Sequence, residues 1–378
     1  MPTRPKTVLI YTMHNDWHAV LAEAALKARG HRVLRYFSSD FSERAEIEFH
    51  HGRREGDLYL HTINGCFALS EFDVVWNRRM TQPQLPPGID RRDQAYVAQQ
   101  LRFGDASLRS LLRDAFWINP FAAARSADHK PLQLRHAQRN GLRIPETLVS
   151  NRPQAIRRFI AEHGAVIHKP LVGAAWNEEG RTLSTYTASV SDTDLPEDPM
   201  VRAAPGIFQA RVPKQYEVRA QFFGASCFAI KIDGSRVDYG DMDWRLRQNG
   251  AMVDGSVVLP DAVYDACLRQ LESLGLVAGA FDFIVTPDDE WVYLEVNEAG
   301  QFIFVEAWCP ELPLFDALCG FIESADPRFR YRPGADRLRL DALLASVEPA
   351  AVCAADKARR DDADELPAAA AEASAAAA

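Results

Sequence analysis

LEVNEAGQF, residues 294–302, closes an apolar run with a glutamate and an asparagine two positions apart, then turns through Ala299-Gly300. Residues i and i+2 of a strand point to one face, so Glu295 and Asn297 share a side. The run before it, Ala280 to Val285, carries Asp282 between Phe281 and Phe283. If the two runs pair, Asp282, Glu295 and Asn297 converge. Two carboxylates and an amide oxygen form a hard oxygen set suited to Mg²⁺ holding phosphates. A surface hairpin with polar outer faces accounts for the same spacing, and the stretch alone leaves both readings open.

Working outward, residues 199–330 form one unit, with strands expected at 206–211, 216–223, 226–232, 279–286 and 291–296 and helices at 260–274 and 311–323. Residues 126–198 form a smaller one. It opens with a helix from Ser126 to Asn140, in which Pro131 falls near the first turn, where proline is tolerated. A helix at 153–163, a strand at 165–171 and a return strand at 182–190 follow, then an acidic, proline-containing linker to Pro199. Residues 1–125 read as an α/β domain: strand 6–12, helix 16–29 stopped by Gly30, strand 31–36, strand 72–76 and a long helix over 90–115. Strand–helix–strand order implies a right-handed crossover in a parallel sheet. Residues 331–378 form a C-terminal extension; from about 350 its low complexity predicts disorder or a frayed helix.

A chain of 378 residues is too long for one ordinary core. Its formal net charge of −9 argues against a general nucleic-acid binder. Six cysteines without a C-x-x-C pair read as reduced thiols in a cytoplasm. The N-terminal apolar run is too short for a signal peptide, and no window is long enough to cross a membrane.

Lys169 ends a strand before a small-residue loop, where a lysine can neutralise phosphate. A solvated lysine fits equally well, and neither a Walker loop nor G-x-G-x-x-G is present. Arg219 shares a strand face with Glu217, and Arg245 lies in Asp243-Trp244-Arg245. Arginine stabilises charge on a transferring phosphoryl group, although exposed arginines are commoner. All ten histidines fall at or before residue 168, which excludes a histidine base in the C-terminal unit. His14 and His18 lack the Glu of H-E-x-x-H, and no G-x-S-x-G triad is present.

Taken in order, Asp128-His129-Lys130, Ile167 to Gly173, Phe208-Gln209-Ala210, Glu217-Val218-Arg219, Phe281-Asp282-Phe283 and Leu294 to Asn297 resemble the motifs of ATP-grasp carboxylate ligases, over about residues 120–325. Within that family, Val75 to Arg79, Phe208-Gln209, Asp243-Trp244-Arg245 and Asn297 to Glu306 are similar to the graspetide (microviridin-type) peptide macrocyclases. The resemblance implies an α/β ATP-grasp fold, with a pre-ATP-grasp domain followed by two α+β subdomains enclosing an ATP cleft. It implies ATP and Mg²⁺ as cofactors. Lys130 and Lys169 would then contact phosphates, with Glu217 in the same nucleotide set. Gln209, Ala210, Arg211 and Val212 would line the adenine pocket through their backbone. Asp282, Glu295 and Asn297 would hold Mg²⁺. Arg219 and Arg245 would be catalytic, stabilising an acyl phosphate or orienting the acceptor. The loop 173–181 would be a lid. The implied partner is a ribosomal precursor peptide whose leader binds outside the cleft; related ligases suggest a homodimer, and neither nucleic acid nor membrane is a partner.

The activity so implied joins Asp or Glu side chains of that peptide to Ser/Thr hydroxyls or Lys amines, as esters or amides. An amino-acid ligase acting on a small acid or a protein terminus would need nearly the same residues. A nucleotide-binding regulatory protein without ligase activity would more often lack the metal-ligating set.

Overall fold

Short β-branched runs flanked by amphipathic helices build the first unit, residues 1–121 with 313–378. The computed structural model describes residues 4–52, 58–173, 175–178, 181–236, 250–334 and 337–357. Thr7–Thr12 lies in a four-stranded parallel sheet between Arg32–Phe37 and Val74–Asn77, and Val74–Asn77 pairs in turn with Phe116–Ile118. Helix Trp17–Ala28 joins the first two strands. Asp16 caps it by accepting from the His18 amide at 3.1 Å. Gly30 ends it at φ +85°, which only glycine adopts without steric cost. The expected long helix is Gln94–Leu111.

Two features of this unit correct the sequence reading. Ala45–Phe49, Leu58–Thr62 and Gly65–Ala68 form a three-stranded antiparallel sheet that was not expected. Its strands are short, and Ile47, Phe49 and Leu58 are only partly buried against the core, so the apolar signal is weak. The tail, expected as disorder or a frayed helix, is helical over Pro349–Lys357, preceded by helix Leu340–Ala345, and that last helix is packed. Asp356 is buried, 2.6 Å from Arg35, and accepts from the Asn15 amide at 3.1 Å. Arg44 donates to the carbonyls of Ala355 and Asp356. Composition signalled low complexity, but one carboxylate paired with Arg35, and two carbonyls bonded by Arg44, anchor the helix. Residues 358–378 lie outside the described residues. Residues 313–330, expected with the C-terminal subdomain, lie in this unit, where Phe321 meets Phe116 edge-on.

Among the described residues, the second unit, 122–312, holds three antiparallel sheets, of two, four and five strands. The four-stranded one runs Ala188–Val190, Val166–Pro170, Gly206–Ala210, Thr147–Ser150. Helix Pro153–His163 buries Ile156 and Ile160 against Val166 and Phe208 on one face. The expected return strand at 182–190 is instead two pieces: Arg181–Ser184 pairs with Ala175–Glu178, and Ala188–Val190 with Val166–Pro170. The expected helix 126–140 is also two, Phe121–Ala127 and Lys130–Arg139, because Pro131 fits only a first turn and His129 turns extended to start it. The five-stranded sheet runs Val253–Ser256, Ser226–Ile232, Tyr216–Phe223, Ala278–Val285, Trp291–Asn297. One face buries Val218, Phe222, Phe281, Phe283 and Tyr293 with Leu134 and Ala137 of helix Lys130–Arg139 and Leu271 of helix Asp261–Leu274. The other face carries the polar residues of the site. Helix Ile303–Trp308 was not expected.

Candidate active site

Strands Ala278–Val285 and Trp291–Asn297 place Asp282 opposite Glu295 and Ala280 opposite Asn297. Directly opposed residues share a face. The three expected oxygen ligands therefore converge, with Asn297 Nδ2 3.2 Å from Asp282 Oδ2. Register slips between Asp282 and Phe283, a bulge that leaves Leu294 without an opposite residue. Period two breaks at that point: Tyr293 and Val296 both turn into the core, while Leu294 and Glu295 both line a cavity.

Each acidic group of this face has a basic neighbour. Lys130, at the start of its helix, pairs with Glu295. Arg219 lies opposite Asp282 in the register and donates to both carboxylate oxygens, at 2.9 and 2.8 Å. Lys214 Nζ lies 2.8 Å from Glu217 Oε1, both side chains largely buried. The pairing keeps these lysines, arginine and carboxylates together at low net charge.

The cavity encloses about 260 Å³. The four-stranded sheet contributes Ile167, Lys169 and Gln209, and the five-stranded sheet contributes Glu217, Asp282, Ile284 and Glu295; Lys130 and Lys214 complete the ring of charge. Gly173 and Thr185 to Thr187, which flank the hairpin of Ala175–Glu178 and Arg181–Ser184, form a further wall. Gln209 is buried; its Nε2 donates to Thr147 at 3.0 Å, and its Oε1 has no partner among the described residues.

Some expected residues are placed elsewhere. Ala210, Arg211 and Val212 do not line the cavity. The amides of Ala210 and Arg211 are spent on the carbonyls of Glu146 and Ala165, at 3.0 and 2.9 Å. Arg219 is buried behind Asp282 and does not line the cavity either, and neither does Asn297. Arg245 lies outside the described residues. Sequence reasoning missed Lys214, whose one signal is its i, i+3 spacing to Glu217, and Leu294, whose placement depends on the bulge.

The chain has an ATP-grasp fold with an α/β pre-ATP-grasp domain. Residues 7–125 match the MvdD pre-ATP grasp domain family. The macrocyclase MdnC of Microcystis aeruginosa MRC, solved bound with precursor peptide MdnA, is 27% identical, with a TM-score of 0.73 over 84% of this chain and 99% of that one. The macrocyclase MdnB of the same organism is 29% identical, with a TM-score of 0.68 over 84% and 99%. A RiPP-associated ATP-grasp ligase of Chryseobacterium gregarium, in complex with ADP and a leader and core peptide, shares the fold at 24% identity, with a TM-score of 0.77 over 85% and 98%. No curated protein matches the chain. The chain is thus similar over most of its length to microviridin macrocyclases, as its motifs implied. No helix among the described residues is long and apolar enough to cross a membrane.

Proposed function

We propose that the chain is an ADP-forming ligase that activates Asp or Glu side chains of a ribosomal precursor peptide as acyl phosphates. Ser/Thr hydroxyls or Lys amines of the same peptide then attack, closing ester or amide rings. One observation carries this reading: Asp282 and Glu295 line a cavity that also presents Lys130 and Lys169, and Asn297 lies against Asp282 on the same sheet face.

The donor set suits Mg²⁺, being two carboxylates and a carboxamide on one face. Rotating the Asn297 amide by half a turn presents its oxygen in place of its nitrogen. Mg²⁺ held there would draw charge off the phosphates during transfer. Glu295 already faces Lys130, so moving that ammonium onto a phosphate while Glu295 takes the cation leaves the net charge unchanged. Lys169 would hold a second phosphate oxygen. Gln209 Oε1 offers an acceptor to an exocyclic amine of the base, while the amides of Ala210 and Arg211 are already bonded to the carbonyls of Glu146 and Ala165.

A carboxylate repels nucleophiles by its own charge. Transfer of the γ-phosphoryl group to it makes a mixed anhydride with phosphate as leaving group. Attack by the hydroxyl or amine breaks the acyl C–O bond, releases phosphate and sheds one proton. Arg219 holds the Asp282 carboxylate in register, and Arg245 belongs to the same proposal as a charge stabiliser.

A homodimer and a cytoplasmic location are part of this reading. Tyr96 and Phe103, seven residues apart on one helix, are 67% and 65% exposed and offer an apolar face to a second copy. No disulfide joins the six cysteines.

The test is intact mass spectrometry of a candidate precursor encoded beside this chain, after incubation with the protein, ATP and Mg²⁺. Loss of one water per ring, absent with Glu295→Ala, is expected. An unchanged peptide together with ADP release on free amino acids would assign the site to a small-substrate ligase instead.

A further inference from the structure

Strand Trp291–Asn297 is the last of its sheet, so its outer edge presents backbone groups that need partners. Val296, between Glu295 and Asn297, finds them in a side chain. Its amide donates to Gln133 Oε1 at 2.9 Å, and its carbonyl accepts from Gln133 Nε2 at 2.9 Å. The carboxamide thus makes the two bonds that the backbone of a neighbouring strand would make. Gln133 Nε2 also donates to the Ala127 carbonyl at 2.5 Å, and Oε1 accepts from the Tyr293 hydroxyl at 2.8 Å. All four hydrogen-bonding positions of the carboxamide are used, at 4% exposure. The Gln133 carbonyl accepts from Gln270 Nε2 at 3.0 Å, tying the same turn to helix Asp261–Leu274.

Lys130 lies three residues, about one helical turn, before Gln133 on the same helix. Helix and strand therefore meet twice: Lys130 on Glu295 at the cavity, and Gln133 on the backbone of the next residue. We propose that Gln133 is a positioning residue, locking the strand that carries Glu295 and Asn297 to the helix that carries Lys130 and so setting how strongly the site takes a divalent cation with nucleotide. The proposal rests on the magnesium–nucleotide reading of the site. An apolar residue would fill the space but leave the Val296 amide and carbonyl buried without partners, which the strand could relieve only by shifting. A glutamate would keep the two acceptor bonds and lose both donor bonds.

The experiment is calorimetry of ADP binding in Mg²⁺ and in EDTA, for the wild type, Gln133→Met and Gln133→Glu, with amide hydrogen exchange at Val296. The wild type is expected to bind ADP more tightly with Mg²⁺. Gln133→Met should keep its affinity in EDTA within about twofold and lose about tenfold of the magnesium-dependent gain, the scale on which supports of metal ligands act. Gln133→Glu should lose less, and exchange at Val296 should speed up in Gln133→Met. A magnesium-dependent gain preserved in Gln133→Met, or affinity falling equally in Mg²⁺ and EDTA, overturns the positioning role alone. No magnesium-dependent gain in the wild type overturns the reading of the site and this role with it. If Gln133→Met does not fold, the Glu variant decides by the same comparison.

Discussion

Asp282→Asn isolates the charge pairing behind the proposed metal face. Arg219 is 6% exposed and makes two bonds, of 2.9 and 2.8 Å, to the Asp282 carboxylate. Asparagine preserves volume but leaves a buried guanidinium without its counter-charge. Removing one partner of a buried pair costs about 3–5 kcal/mol. The Asp282 side chain keeps 15% exposure, which lets water in, so the lower end, about 3 kcal/mol, is expected. Arg219→Met combined with Asp282→Asn removes both charges and should recover all but about 1 kcal/mol, because the penalty lies in the orphaned charge. Urea unfolding followed by circular dichroism measures each value. A loss below about 1 kcal/mol for Asp282→Asn, or a double variant no better than the single, would refute the idea that Arg219 depends on that carboxylate.

Three further outcomes follow from other parts of the chain. Burial pushes His18 down to about 4 from 6.5; for Asp16, burial works upward, but the His18 hydrogen bond and the Arg78 charge outweigh it and bring the group to about 2. Between pH 6.5 and 4 the unfolded chain binds the His18 proton and the folded chain does not, so stability should fall as pH drops through that window; melting temperatures of His18→Gln should show a flatter slope there. Asp356→Ala should cost about 3 kcal/mol by leaving Arg35 and the Asn15 amide without that carboxylate, and limited proteolysis should then cut helix Pro349–Lys357. At Gly300, with φ +45°, a Cβ would sit 2.6 Å from Gln221 Oε1, so Gly300→Ala should cost about 1–3 kcal/mol in unfolding experiments, and Gln221→Ala should return part of it.

The parallel sheet of the first unit was legible because Thr7–Thr12, Arg32–Phe37 and the Gly30 stop are written in adjacent residues. The shared face of Glu295 and Asn297 was legible for the same reason, since alternation along a strand is local. The expected carboxylate pair also depended on Ala278–Val285 joining Trp291–Asn297, which a short hairpin connection makes the natural pairing.

Only tertiary structure could decide the rest. The bulge at Leu294 turns two adjacent side chains, Leu294 and Glu295, to the cavity, and nothing in Tyr293-Leu294-Glu295 distinguishes it from regular alternation. Lys130 finds Glu295 across 165 residues, and Gln133 finds Val296 across 163. In sequence, Gln133 is one more polar residue on a helix, and Asp356 one more acid in a low-complexity tail. Each acquires its role when distant surfaces bury it among unsatisfied partners. The sequence by itself determined the strands, their faces and the chemical groups available; packing determined which of those groups are desolvated together, and it is desolvation that turns a polar side chain into a clamp.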